Sequence, residues 1–301
     1  MKKKSAAFIA VDIIYLCLMI LPIIAGIVLK VLTKPLSDGI SVSGAQIFFT
    51  VPMPIQNLTI TESQTNSLIV TLFILGLCLF MTHGLKEVPD TKRQLLAEWI
   101  IEKVEAMTIG NMGEYFKSFP PFIAAILALS GFSSLLGLVG LYAPTSDINI
   151  VGGWAVLVFI LITYYKSKCG PISYVKSFCD PILLTPLNII GEIATPISMA
   201  FRHYGNILSG SVIAVLLASA LGGLSKLVLG WLPGILGEFP LLQIGIPAVL
   251  SLYFDLFSSV LQAYIFAMLT MMYISGGFPA DEYKLKQQRK LEKKKVKTEV
   301  K

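Results

Sequence analysis

Charge is scarce in this 301-residue chain. Only 14% of its residues are Asp, Glu, Lys or Arg, against 55% hydrophobic. A soluble domain carries about a quarter charged residues, so a soluble fold is excluded and a polytopic membrane protein is expected. Histidine is almost missing, with two residues, and there are four cysteines. Neither Ser/His/Asp spacing, nor metal-ligand spacing, nor a phosphate-binding glycine loop occurs, which argues against a membrane enzyme, and no cofactor or metal is expected. Cys17 and Cys78 lie in apolar runs, where cysteine is an ordinary small apolar residue. Cys169 and Cys179 fall in a loop placed inside the cell and read as reduced thiols, a disulfide between them being the alternative. No internal repeat is visible, which weighs against the plan common among secondary transporters. The net charge of +6 does not point to nucleic acid, because the basic residues sit in short loops and at the two ends.

What is present is a series of apolar segments: about 9–32, 67–85, 119–142, 151–165, 182–222 and 241–275. The first follows Met1-Lys2-Lys3-Lys4. It is longer than the ~7–15-residue core of a signal peptide, and no small-residue cleavage site follows closely, so it reads as a retained membrane helix. The loop 33–66 is polar and rich in turn residues. Its Asn57-Leu58-Thr59 matches a glycosylation sequon, without meaning in a bacterium. Residues 88–116 are amphipathic and charged and read as an interfacial helix, with Val88-Pro89-Asp90 offering a cap. Lysine and arginine set the orientation. Alternate loops beginning with the N-terminus hold 20 of the 24 basic residues, and the intervening loops hold Lys30, Lys34 and Lys226. Both ends are therefore expected in the cytoplasm.

Two segments exceed a membrane span. A bilayer core needs about 20 helical residues, whereas 182–222 would make a helix of about 62 Å. To cross ~30 Å it would lie about 30° from the membrane plane, and 241–275 about 35°. Breaks at Pro196 and Pro247 are the alternative. Two long, strongly tilted helices are preferred.

The remaining arginine, Arg202, lies at the centre of 182–222. Its charge cannot be shed and costs at least ~2.5–3.5 kcal/mol at mid-membrane. It stands about 20 residues from either end, too far to snorkel. At ~100° per residue, Asn188, Gly191, Thr195, Ser198, Arg202, Asn206 and Ser209 fall within about 40° of one line. Small residues alone would suit helix packing; the arginine adds a fixed charge facing a polar path. In the last segment Ser251, Asp255, Ser258, Gln262 and Tyr273 share a face, with Ser259 at its edge. Arg202 and Asp255 form a structural ion pair on one reading. On the other, Asp255 lines a hydrated entry path and Arg202 faces an outside partner. His203 points about 100° away from Arg202 and reads as a packing or water-bridging residue. His83, at a membrane edge beside Lys86, reads as structural.

The run Pro196-Ile197-Ser198-Met199-Ala200-Phe201-Arg202-His203-Tyr204-Gly205-Asn206 resembles the core signature of the F-type ATP synthase a subunits, also called the ATPase subunit 6 family. That pattern is a Pro-hydrophobic-Ser lead followed by Arg-Leu-Phe-Gly-Asn. Leu261-Gln262-Ala263-Tyr264-Ile265-Phe266-Ala267-Met268-Leu269-Thr270 is similar to the family's final helix, with its glutamine near the arginine. Pro144-Thr145-Ser146-Asp147-Ile148-Asn149 resembles the loop before the fourth span, and Asn188 and Glu192 also fit. The likeness covers about Ile60 to Gly276. There are departures: His203-Tyr204 for Leu-Phe, Ser211 where some members have an acidic residue or histidine, Asp255 where members have His or Glu, and Ser134 for a frequent Asn.

The resemblance implies a membrane domain over 67–276. It is preceded by an additional helix and external loop over 1–66 and followed by a basic cytoplasmic tail over 277–301. It implies a non-catalytic subunit in a bacterial plasma membrane, with a c-subunit ring, a b-subunit peripheral stalk and the other ATP synthase subunits as partners, and protons or Na+ as cargo. An ionised carboxylate in lipid is far costlier than a protonated one, so the ring turns through lipid only with its sites filled. Two offset half-channels in the a subunit fill and empty those sites. The implied ion-translocation residues are Arg202, Asn206, Gln262, Asp255, Glu192, Ser211 and Asn188. Arg202 attracts the ionised ring carboxylate and blocks leakage, Gln262 and Asn206 are its hydrogen-bonding neighbours, and the long tilted helices follow the ring. The competing class is a secondary transporter with Arg202 as an anionic-substrate site. It would purify alone or as a homo-oligomer, whereas an a subunit would bring a ring of small hydrophobic chains and soluble ATPase subunits.

Overall fold

A computed structural model describes residues 6–33, 44–54, 57–89, 91–168, 170, 174, 182–230, 249, 253–278 and 283, the side chains of residues 182, 229, 254 and 255 excepted. Among these, six helices are long and apolar enough to cross a membrane. In a bilayer every backbone group must be satisfied within the segment, and helices do this. α1 spans Ala6–Thr33 and α2 Glu62–Thr82. They pack side by side through small residues. At Gly76 an added Cβ would lie 2.7 Å from Met19 Cγ, and at Gly26 one would lie 2.6 Å from Ile69 Cδ1.

The connection between them is not wholly irregular, as the loop reading of 33–66 had it. β1, Ile47–Val51, pairs antiparallel with β2, Leu58–Thr61, with a register shift between Ile47 and Phe49. Ile-Phe-Phe-Thr-Val and Leu-Thr-Ile-Thr are β-branched and aromatic runs of the kind that fit a pleated surface, with Pro52 and Pro54 between them.

α3, Lys92–Met112, is capped by Thr91, whose hydroxyl accepts from Gln94 N at 3.3 Å. The cap thus falls beyond the Val88-Pro89-Asp90 expected to supply it, and Asp90 lies outside the described residues. α3 ends at Gly113, where φ is +84°. It buries Ala97, Thr108 and Met112 and leaves Leu95, Leu96, Trp99, Ile100 and Ile101 exposed, which suits a helix lying in a membrane interface.

α4 runs Pro120–Leu135 and α5 Ile148–Ser167. Asp147 caps α5 by accepting from Asn149 N at 3.0 Å. α6, Thr185–Leu229, is one helix of 45 residues, about 67 Å long. It passes Pro196 without a break. Proline removes one ladder bond, and nearby the Thr195 hydroxyl donates to Gly191 O at 3.0 Å, a side-chain supplement of the sort found in membrane helices. The unbroken option is therefore the one adopted, and its length agrees with the expectation. α7, Ser259–Gly276, follows a π-helical turn at Tyr253–Ser258. Most of 241–252, the first part of the expected last segment, lies outside the described residues, as do Cys169, Cys179, Ser251 and nearly all of the basic tail.

The core lies where α4, α5, α6 and α7 meet over the end of α3. Phe116, Phe119, Ile123, Val158, Ile162, Met199, Phe266, Met271 and Ile274 are all buried there. Apolar surface gains little by leaving lipid for protein, so close packing and internal polar contacts hold such a bundle together. Two polar junctions lie at opposite ends of α1. At one end Lys30 Nζ is 3.2 Å from Glu62 Oε1, which also accepts from Tyr142 N at 3.3 Å. Asn66 donates to Tyr142 O at 2.8 Å, and Ser63 donates to Asp147. At the other end Asp12 meets His83 Nδ1 at 2.9 Å and Arg93 Nη1 at 3.0 Å, and Phe8 stacks on the His83 ring at 4.2 Å. His83 has the structural surroundings expected of it.

Candidate functional site

The site is built on α6 and α7. Arg202 lies well inside α6, on its exposed side, and has no hydrogen bond or ion pair with any described residue. One step along the helix His203 is fully buried. Its Nε2 is 3.3 Å from Ser130 Oγ, and its ring meets Trp154 and Phe266 edge-on. The ~100° turn between successive residues thus separates a packed imidazole from an outward guanidinium, as expected from the helical geometry.

Asn206 and Gln262 do come together, but with each other: Asn206 Nδ2 donates to Gln262 Oε1 at 3.4 Å. In this structure the two expected neighbours of Arg202 bond to each other. Gln262 is buried on α7 and Asn206 half-buried on α6. Their two amides pin the helices together within one turn of Arg202 and leave the guanidinium outward.

On one side of Arg202 a cleft of about 540 Å³ runs between α6 and its neighbours, lined by Lys30, Ser134, Tyr142, Tyr204, Asn206, Ser211 and Ser259 among others. Ser211 lines it, although its hydroxyl donates to Leu208 O at 2.8 Å in its own helix. On the other side stands Glu192, ten residues before Arg202, or about 15 Å along the axis. Its carboxylate accepts from Lys166 Nζ at 2.7 and 2.8 Å and from the Tyr174 phenol at 3.1 Å. Burial first, then the Glu192 charge and hydrogen bond, raise the Tyr174 phenol above its usual 10.0. Asn188 lies one turn further on and is half-buried. Asp255 belongs to the π-helical turn, and its side chain is outside the described atoms; π-turns recur at functional sites.

Several cleft residues escape a reading of α6 and α7 alone. Lys30 comes from α1, and Tyr142 and Ser146 from the segment before α5. Ser259 carried a sequence signal at the edge of the α7 polar face, and Ser134 and Ser146 entered only through the family likeness.

Fold and site together define an all-α, multi-pass membrane protein with an outward, unpaired arginine between two polar regions. A family model described as ATP synthase A chain matches residues 65–275, and the chain belongs to that family, as an ion-translocating stator subunit of an F-type ATP synthase. Among its relatives, the "ATP synthase subunit a 3" of Pelobacter propionicus is 29% identical over 230 residues, covering 73% of this chain and 90% of that one. The "ATP synthase subunit a, sodium ion specific" of Propionigenium modestum is 30% identical over 277 residues, covering 80% and 88%. The "ATP synthase subunit a" of Bacillus pumilus is 32% identical over 235 residues, covering 72% and 93%. The chain is thus a multi-pass bacterial membrane protein that works in a complex with other ATP synthase subunits.

Proposed function

We propose that this subunit carries out no ATP chemistry and instead supplies two offset half-channels separated by Arg202. The observation that carries the reading is the outward, unpartnered Arg202 with a polar cleft on one side and Glu192 on the other. A buried charge is normally paired. A permanent cation left without an internal partner at membrane depth suits a partner outside the chain, here the carboxylates of a c ring. Attraction to Arg202 favours the ionised carboxylate and so ion release, and the same fixed charge opposes a cation passing directly from one half-channel to the other.

In this reading the cleft lined by Asn206 and Ser211 is the access path from outside. Glu192, with Asn188, borders the path to the cytoplasm, and Asp255 lines a hydrated entry. Gln262 and Asn206 hold α6 and α7 in register beside the arginine. Both termini are cytoplasmic, following the lysine and arginine distribution. α6 and α7 lie tilted along the curved ring, and α3 with the exposed inner ends offers a surface to the b-subunit stalk. α1 and the basic tail are additions to a membrane domain over 67–276.

The test is the assembled synthase in vesicles. Arg202→Ala is expected to abolish ATP-driven ion pumping while the complex still assembles. Pumping at the wild-type rate would sink the proposal.

A further inference from the structure

The cleft is not built only by helices of the family match. Lys30 lies on α1, outside residues 65–275, yet it lines the cleft together with Tyr204, Asn206 and Ser211. Its ammonium is 3.2 Å from Glu62 Oε1, and the two side chains differ sharply in exposure, 33% for Lys30 and 3% for Glu62. A carboxylate so buried needs a charged or hydrogen-bonding partner, and Lys30 and Tyr142 N provide them. The ionisable groups facing the pair are Glu62 itself on α2, Asp147 and Tyr142 before α5, and Tyr204 on α6. Asp147 is linked to Glu62's neighbour Ser63 by a hydrogen bond. Burial first, then Asp147, Tyr204 and Glu62, push the Tyr142 phenol above its usual value. Among the described residues, Lys30 is the cation paired with Glu62, and it comes from the additional helix.

We propose that Lys30 sets the cation affinity of the outer access path, acting through Glu62. It is a positioning residue: it carries no ion, but holds the Glu62 carboxylate and offsets its charge at the cleft. This rests on the reading of the cleft as the outer half-channel. A conducting path must bind its ion well enough to admit it and weakly enough to release it. An unopposed Glu62 carboxylate directly behind the Lys30 wall of the cleft would hold a cation too well, and Lys30 offsets that charge. α1 thereby tunes ion entry in a way that a subunit without such a helix cannot share.

The experiment uses the complete synthase in liposomes, with ATP synthesis followed against the concentration of Na+, and separately of H+, on the Lys30 side at fixed membrane potential. Lys30→Gln is expected to lower the half-saturating concentration of the transported ion on that side by about three- to tenfold. The half-saturation on the opposite side, read by ATP-driven pumping, stays where it was. Glu62→Gln shifts the Lys30-side value the other way, and the double variant returns it toward wild type. A purely structural role would lower the yield of assembled complex and slow both directions without a one-sided shift. Should Lys30→Gln fail to assemble, Lys30→Arg, expected to keep the wild-type value, and Glu62→Gln carry the test. Unchanged half-saturation in the assembled variants overturns the inference. If Arg202→Ala uncouples the same preparation while Lys30→Gln moves nothing, only this inference falls; if Arg202→Ala still couples, the half-channel reading itself falls.

Discussion

Two arginines of this membrane domain are held in opposite ways. Arg93, at the start of α3, is bound on every side: Nη1 is 3.0 Å from Asp12 Oδ1, Nη2 donates to His83 O, and the guanidinium lies 4.8 Å over the Phe80 ring. Its side chain is 15% exposed. Arg202 is exposed and has none of this among the described residues. Both pay for desolvation when a membrane surrounds them, but only Arg93 recovers the cost within its own chain. A charge satisfied internally is a structural device. A charge left unsatisfied points to a partner outside, and the family assignment says what kind of assembly contains it.

The comparison breaks most directly by giving Arg202 the partner it lacks. Asn206 lies one turn away, at the i,i+4 spacing that brings side chains together. Asn206→Asp would place a carboxylate beside the guanidinium and make Arg202 resemble Arg93. Coupled ATP synthesis is expected to fall by about a hundredfold or more, the scale associated with losing a preorganised charge. The complex should still assemble, because the aspartate keeps the volume of the asparagine and can accept from the Gln262 amide once that amide turns its NH2 toward it. Measured synthesis near the wild-type rate in Asn206→Asp vesicles would show that an unpaired Arg202 is not needed.

The converse change removes Arg93 and should leave transport alone. Arg93→Met strands the Asp12 carboxylate, itself only 16% exposed, beside His83. Breaking one partner of a mostly buried pair is expected to cost about 2–3 kcal/mol. It should appear as earlier thermal dissociation of the detergent-solubilised complex, with ion pumping per assembled complex kept. A loss of pumping without loss of stability would contradict the division between the two arginines.

What the sequence displayed and what it hid follow from the range of the interactions. The long span was legible because an apolar run with a central arginine needs no tertiary information, and the 45-residue α6 bears it out. The outward Arg202 and inward His203 were likewise legible from the helical turn alone. The start of α2 was not. Hydropathy placed it near residue 67, but the helix begins at Glu62, because Glu62, Ser63 and Asn66 find Lys30, Asp147 and Tyr142 from distant parts of the chain. The hairpin was hidden because its strands are short and stand among prolines and turn residues. Lys30 was counted only as a charge in an outside loop; nothing local tells that α1 carries it to Glu62. Glu192 was singled out only by the family likeness, whereas its pairing with Lys166 depends on how α5 and α6 meet.

That pairing provides the smallest and last test. Glu192 accepts from Lys166 and from Tyr174, so it sits closer to Arg93's condition than to that of Arg202. The Tyr174 phenol has its pKa raised from 10.0, chiefly by burial and then by Glu192. A raised folded-state value means that the phenol's contribution to stability is complete below the unfolded value and is lost only as pH rises through the folded one. Tyr174 should therefore go on donating to Glu192 at a pH where an ordinary tyrosine has ionised. Spectrophotometric titration of the wild type against Tyr174→Phe should show the missing phenol ionising above pH 10.0, with little change in stability at neutral pH beyond about 1 kcal/mol for one hydrogen bond. A phenol that ionises at or below its ordinary value would mean that Glu192 does not hold it. The carboxylate would then depend on Lys166 alone.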